Sequence, residues 1–358
     1  MPNNIDLFDT YYMAGMVQEI VPQMTFFRDR YFQTNPSTDI FAADKVLVEY
    51  RDGDRRLAPF VVPRSGDIPI GRKGYEIKEF EPPHILPSRL LTLDDLQKRG
   101  FGEALFSGST QAERARALQI IDLADLDRRI TRREEWMAVQ TMINNGCTMT
   151  AYIDNGTVGE TYDVFFYDTT GSNPAIYTVD DEWDDTTGDF WGDVEAMCAL
   201  LADRGLTAAD LIVGSTVGQY IQSDEVAAKR LDNRRMEYGN LAPKITTPGV
   251  AWLGRLNFGG FELDIFSVRE TYVDDTGTTQ RFFPAKSAMV TAPNCGHMMY
   301  AQITQIEADD QYHTFAMKRI PKFVVDRDKD TRKLRLGSRP LAAPLQKTPW
   351  IYAANVVK

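Results

Sequence analysis

Between residues 111 and 146 the apolar and polar positions fall in a helical rhythm, QAERARALQIIDLADLDRRITRREEWMAVQTMINNG, with no proline and no glycine before Gly146. Ala, Leu, Arg, Glu and Gln dominate, and Asn144-Asn145-Gly146 is the kind of left-handed stop that ends a helix. At about 1.5 Å per residue the predicted helix runs roughly 50 Å, which makes it a strut crossing the molecule. Leu123, Leu126, Ile130 and Met137 form one stripe, and Trp136, Val139 and Ile143 form a second, rotated one. Asp127-Arg128-Arg129 and Arg132-Arg133-Glu134-Glu135 lie between them, so the two halves are expected to rest on different surfaces. Thr131 followed by Glu134 also fits a capping box, which leaves a break or a second helix start at Thr131 as an alternative.

Elsewhere the rhythm is extended. Val46, Val48 and Tyr50 alternate, followed by Phe60-Val61-Val62 and then Tyr75, Ile77 and Phe80, with Gly66, Pro69, Gly71 and Gly74 between and Arg72-Lys73 at the tip. This predicts two β segments forming a ribbon, which an isolated pair of strands can sustain only by lying against something. Residues 148–153 and 161–167 flank Asp154-Asn155-Gly156, a strong hairpin signal. Asp189 is placed to cap a helix over 190–204 that stops at Gly205; a buried strand follows at 211–213, then helical segments at 217–222 and 225–235. Residues 251–258 and 261–270 form a hairpin about Gly259-Gly260, Asp274-Asp275-Thr276-Gly277 turns the chain again, and 288–292, 323–325 and 350–352 read as strands. The N-terminal 45 residues carry a short amphipathic stretch (Leu7, Phe8, Tyr11, Tyr12, Met16) and an aromatic cluster, Phe26-Phe27-Arg28-Asp29-Arg30-Tyr31-Phe32, between Pro22 and Pro36. Such an arm offers aromatic anchors without a core of its own, so it needs a surface on this chain or on a neighbour.

The 358 residues can bury a substantial core in one large or two ordinary domains. A formal net charge of -11 argues against nucleic acid as a tightly held ligand, because phosphate binding needs a basic surface. No apolar run is long enough to span a bilayer, and the N-terminus lacks a basic region followed by an apolar one. Cys147, Cys198 and Cys295 stand far apart and read as free thiols of a reducing cytosol.

Catalytic patterns are missing. His84, His297 and His313 stand in no metal-ligand spacing, and Gly214-Ser215-Thr216-Val217-Gly218 places its serine one position too early for a nucleophile elbow, so a strand-to-helix turn explains it better. There is no Walker A sequence and no GxGxxG. The acidic run over 180–185, with Asp189 and Asp193, is a solvated loop before it is a metal site, although a carboxylate-metal hydrolase centred on Asp181, Asp185 and Asp193 stands as a third reading. The basic stretch Arg327, Lys329, Arg332, Lys333 and Arg335 suits phosphate or the acidic patches of a sister subunit.

Aromatic arm, Pro/Gly-rich ribbon, one spine-like helix, then an α+β unit with late strands: in that order the chain resembles a tailed-phage major capsid protein of the Hong Kong 97-like fold, lambda-type (protein E family). The stretches that carry the resemblance are Phe26-Phe27-Arg28-Asp29-Arg30-Tyr31, the end of the spine (MAVQTMINNGCTM, 137–149), Lys229-Arg230-Leu231-Asp232-Asn233-Arg234-Arg235, and Phe282-Phe283-Pro284 through Met289-Val290. The resemblance implies an α+β fold with an N-arm at 1–45, an E-loop at 46–90, a P-domain at 91–189, an A-domain at 190–315 and return strands at 316–358. It implies a structural protein and no enzyme, without cofactor, whose copies form hexamers and pentamers of an icosahedral shell around double-stranded DNA. A separate scaffolding protein, a portal and a decoration protein are the implied partners, the virion capsid is the implied location, and the host cytoplasm is the implied place of assembly. Assembly contacts are expected at Phe26, Phe27, Tyr31, Arg72, Lys73, Arg128, Arg129, Arg132 and Arg133. Lys73 also lies near the ribbon tip, where some relatives of the fold crosslink covalently, but lambda-type shells resemble the noncovalent class. An encapsulin-like compartment shell is the second reading on the same fold.

Overall fold

The computed structural model describes residues 25–50, 76–92, 111–152, 157–167, 175–224, 244–247, 249–307, 309–326 and 331–358. The amphipathic stretch about Leu7, the ribbon tip with Arg72 and Lys73, the turn at Asp154-Asn155-Gly156 and the helical segment at 225–235 lie outside these residues.

Four helices are described: α1 (Phe26–Tyr31), α2 (Gln111–Asn144), α3 (Phe190–Asp203) and α4 (Ser215–Ser223). The spine α2 is unbroken through Thr131. That residue is buried mid-helix, and its Oγ1 accepts a hydrogen bond from Arg319 Nη2 at 3.2 Å instead of capping a new start. As predicted, the halves rest on different bodies: Leu123, Leu126 and Ile130 on Leu334 and Leu336, and Val139 and Met142 in a separate core with Phe26, Phe27 and Tyr31, which Met137, expected on the first stripe, also joins. The helix ends where Asn145 takes the left-handed conformation at φ 62°. Gly146 follows at φ 152°, and a Cβ there would lie 1.9 Å from the Val164 carbonyl oxygen, so only glycine lets the chain reverse into the next strand.

A seven-stranded sheet forms the centre of the second half. Its order is Lys244–Thr247, Val250–Phe258, Phe261–Val268, Asp210–Gly214, Ala288–Thr291, Trp350–Ala353, Ile176–Tyr177. Successive side chains of a strand face opposite ways, and both faces are apolar here because both are covered. Leu211, Val213, Val290 and Ile351 pack with Val194, Met197 and Leu201 of α3 and Val217 and Ile221 of α4. The intervening Ile212, Met289 and Tyr352 share the other core, with α1 and the last third of α2. Asp189 caps α3 by accepting from Gly192 N at 2.9 Å, and Gly205 ends it at φ 83°.

Two smaller sheets bind the chain ends to the body. Gly296–Ala301 pairs antiparallel with Pro340–Pro344 and, on its other side, parallel with Phe32–Gln33 and Ile40–Phe41. Ser88–Leu91 joins Thr331–Gly337 and Ile320–Asp326 in a three-stranded antiparallel sheet over the first half of α2. The expected hairpins form at Gly146–Tyr152 with Val158–Phe165, and the ribbon legs pair as Val46–Tyr50 with Glu76–Phe80. All three cysteines are free and buried, and burial pushes each thiol up to about 12, which keeps them protonated and unreactive. Among the described residues no helix is long and apolar enough to cross a membrane.

Candidate assembly surfaces

The aromatic cluster of the N-terminal arm does not project. Phe26, Phe27 and Tyr31, expected to contact a neighbouring subunit, are 5%, 1% and 0% exposed and fill the space between the spine and the seven-stranded sheet of their own chain. Phe26 lies edge-on to Phe27 at 5.2 Å, and Phe27 stacks on Phe283 at 6.1 Å. The physical reason for this correction is a set of buried carboxylates on both flanks that hold the short helix down.

From the spine, Glu135 accepts the backbone N–H groups of Phe27 and Arg28, each at 2.8 Å, so a side chain from another helix satisfies the first donors of α1. Glu134 on the same turn accepts from Arg28 Nη1 at 3.0 Å, from Arg319 Nη1 at 2.6 Å and from Tyr300 OH at 3.1 Å. Arg319 also reaches Asp127 through Nε at 2.6 Å. From the sheet, Asp210 takes a bidentate pair from Arg30 at 2.6 and 2.7 Å and the Tyr31 hydroxyl at 2.7 Å, while the Arg30 guanidinium lies 4.7 Å from the Phe266 ring centre.

The adjacent acids differ in charge state because their partners differ. Burial would raise Glu134, but Arg319 and Arg28 outweigh it and hold its carboxyl below the ordinary range. Burial pushes Glu135 up to about 7, against the pull of the Arg28 and Phe27 N–H groups and with a further push from Glu270.

The ribbon legs are rooted with similar care. Val46, Val48 and Phe80 are buried against Val164, Phe166, Leu341 and Ala343. Arg339, with a side chain only 3% exposed, reaches both legs: Nη1 donates to Asp44 Oδ1 at 3.1 Å and Nε to the Pro82 carbonyl at 3.2 Å.

The spine arginines occupy outer positions. Arg128, Arg129 and Arg132 are exposed, Arg129 pairs with Asp125, and Arg133 pairs with Asp275 and lies over the Trp136 ring. Arg129, Arg132 and Arg133 line an open groove of about 690 Å³, walled on the far side by Tyr272 and Val273. Arg72 and Lys73 lie outside the described residues. Two of the three carboxylates considered for a metal serve the fold: Asp193 accepts from Tyr177 OH at 2.7 Å and Trp183 Nε1 at 2.8 Å, and Asp185 pairs with the Lys358 ammonium.

Of the residues that organise these surfaces, Asp210, Arg319 and Arg339 carry no local signal, and Glu134 and Glu135 stand in the sequence only as part of a polar run, Glu134 also as a capping-box partner for Thr131. One signal was present. By spacing alone Glu134, a turn after Ile130 and three residues before Met137, shares their helix face, and an acid on an apolar face marks a buried and partnered charge.

The fold is that of capsid subunits. The chain is similar to a protein described as a prophage capsid protein of E. coli CFT073, at 15% identity and TM-score 0.60, over 96% of this chain and 98% of that one. It is also similar to a phage-related protein of Bordetella bronchiseptica RB50, at 8% identity and TM-score 0.53, over 98% and 97% of the two chains. An encapsulin subunit of Synechococcus elongatus PCC 7942 aligns over 95% and 90% at 11% identity with a TM-score of 0.42. Among curated proteins none matches this chain by sequence. The family model of phage major capsid protein E matches residues 9–354, nearly the whole length, and the chain therefore belongs to that family of structural, non-enzymatic shell proteins, on the Hong Kong 97-like fold.

Proposed function

We propose that this capsid-family chain closes an icosahedral shell from hexamers and pentamers of itself, around double-stranded DNA that it encloses without sequence-specific binding. The observation that carries the reading is apolar surface that the single chain leaves in water. On the hairpin Gly146–Tyr152 with Val158–Phe165, Tyr152, Val158, Tyr162 and Phe165 are each between 46% and 59% exposed. A two-stranded hairpin with apolar side chains on both faces gains by being covered, and identical neighbours are the available cover. Modest contacts of that kind, repeated round closed rings, sum to a stability that no single interface has.

Within this reading 1–45 serves as N-arm, 46–90 as E-loop, 91–189 as P-domain, 190–315 as A-domain and 316–358 as return strands. Phe26, Phe27 and Tyr31 act within their own subunit, and the ribbon, whose legs are rooted by Arg339, is the part that contacts a neighbouring subunit. A separate scaffolding protein, a portal and a decoration protein complete the set of partners, the shell is noncovalent, and assembly takes place in the host cytoplasm. Negative-stain electron microscopy of the purified full-length chain tests the proposal: closed particles of uniform diameter are expected, and a preparation that stays monomeric at every concentration and salt would refute it.

A further inference from the structure

The sheet over the first half of the spine has one face that the single chain matches only in part. Leu334 and Leu336 turn toward α2, so the alternation of the strand turns Lys333 and Arg335 to the opposite, outer face. Register completes that face. Lys322 lies directly opposite Arg335, and Val324 and Leu90 lie on either side of Lys333. Leu90 is 58% exposed and Val324 39% exposed.

The arrangement is unfavourable as it stands. Like charges directly opposite on paired strands repel. Burial and the Arg335 guanidinium push the Lys322 ammonium below its ordinary value, with Glu307 acting the other way. Glu307 also acts on Arg335, and it accepts from Gln305 Nε2 at 2.6 Å. Arg335 Nη2 donates to Gln305 Oε1 at 2.9 Å, but its Nε–H is buried with no acceptor. A cluster of three cations beside two exposed apolar side chains is matched by a surface that supplies carboxylates and apolar contact together. A chain of net charge -11 offers such a surface on every copy of itself.

We infer that the outer face of this sheet, Lys322, Lys333 and Arg335 with Leu90 and Val324, is an interface that docks an acidic segment of a second copy of this chain. Nucleic acid fits less well, because a phosphate backbone gains nothing from Leu90 and Val324 and is held by extended basic surface, which an acidic chain lacks. The inference rests on the shell reading and names one of its contacts.

Particles assembled from mixed light and heavy-isotope copies of the full-length chain, treated with a water-soluble carbodiimide and read by peptide mass spectrometry, test it. Amide links from Lys322 or Lys333 to an Asp or Glu of a differently labelled copy are expected, together with at least about fivefold slower acetylation of both lysines in particles than in free subunits. Links to Glu307 of the same copy alone, or equal acetylation in the two states, would overturn it. In parallel, Lys333→Glu, at an exposed position that leaves folding unchanged by circular dichroism, is expected to cut shell yield at least about tenfold. Normal yield would overturn the inference, and normal yield with loss of packaged DNA would assign the face to phosphate. Failure of the unaltered chain to form particles would remove the shell reading itself, an outcome distinct from these.

Discussion

Glu135, in the last third of a 34-residue helix, accepts the backbone N–H of Phe27 at 2.8 Å across 108 positions of sequence. That one bond ties the start of the N-terminal helix to the spine, and Asp210 ties its end to the central sheet through Arg30 and Tyr31. The short helix is thus a wedge fixed at both ends, between spine and sheet.

The wedge makes stability depend on pH in a defined direction. Glu135 has a folded value near 7 against an ordinary 4.5, so the native state binds the extra proton between those values. Its contribution is fully present below about 4.5 and is lost as pH rises through 7, with an upper bound of about 3 kcal/mol at 1.36 kcal/mol per unit. The melting temperature of the wild type is expected to fall from pH 5.5 to 8.5, and that of Glu135→Gln to fall much less. Parallel slopes in calorimetry would contradict the assignment.

Glu134 behaves oppositely. Its carboxyl is held below 4.5 by Arg319 and Arg28, so its contribution is present above that value and is lost as pH falls through the lowered one. Glu134→Ala leaves Arg319 with Asp127 and Arg28 with Asp29 as their remaining carboxylates and is expected to cost about 3 kcal/mol at neutral pH. Urea unfolding at pH 7 measures this, and a loss below about 1 kcal/mol would show that the pair is dispensable.

Gly146 is the sharpest steric constraint on the hairpin of Gly146–Tyr152 with Val158–Phe165. Gly146→Ala places a methyl group 1.9 Å from the Val164 carbonyl oxygen and is expected to destabilise the chain by at least about 2 kcal/mol. A smaller change in thermal unfolding would mean that the hairpin relocates at little cost.

The ribbon separates folding from assembly. Deletion of residues 66–74, leaving both rooted legs intact, is expected to yield a soluble subunit with near-normal stability that forms no closed shells. Arg339→Met is expected to loosen the root and lower shell yield with a loss of about 2–4 kcal/mol in stability, since it removes a buried cation bridging Asp44 and the Pro82 carbonyl. Particles of normal size from the deletion, seen by electron microscopy, would sink the first expectation. Unchanged unfolding of Arg339→Met would sink the second.

Local pattern carried much of the architecture. The spine, its two stripes, the Asp189 cap and the hairpin about Gly259-Gly260 all follow from residues within a few positions of one another, where sequence spacing maps directly onto geometry. The destination of the N-terminal aromatics did not follow, because Phe27 meets Glu135 and Tyr31 meets Asp210 only through long-range packing that no periodicity encodes. The same holds for the strands Phe32–Gln33 and Ser88–Leu91, which are too short to declare themselves and exist because a partner strand from the C-terminal half is there to receive them.

The strand Gly296–Ala301 lies between segments from opposite ends of the chain, Phe32–Gln33 and Ile40–Phe41 on one side and Pro340–Pro344 on the other. A ribosome must therefore deliver almost the entire polypeptide before this seam can close. With the seam still open, nascent chains are expected to be incompetent to polymerise, so the delay would act as a timer. Truncation before Leu341 is expected to leave protein that never co-sediments with shells, and its incorporation would show that the seam closes without its last strand.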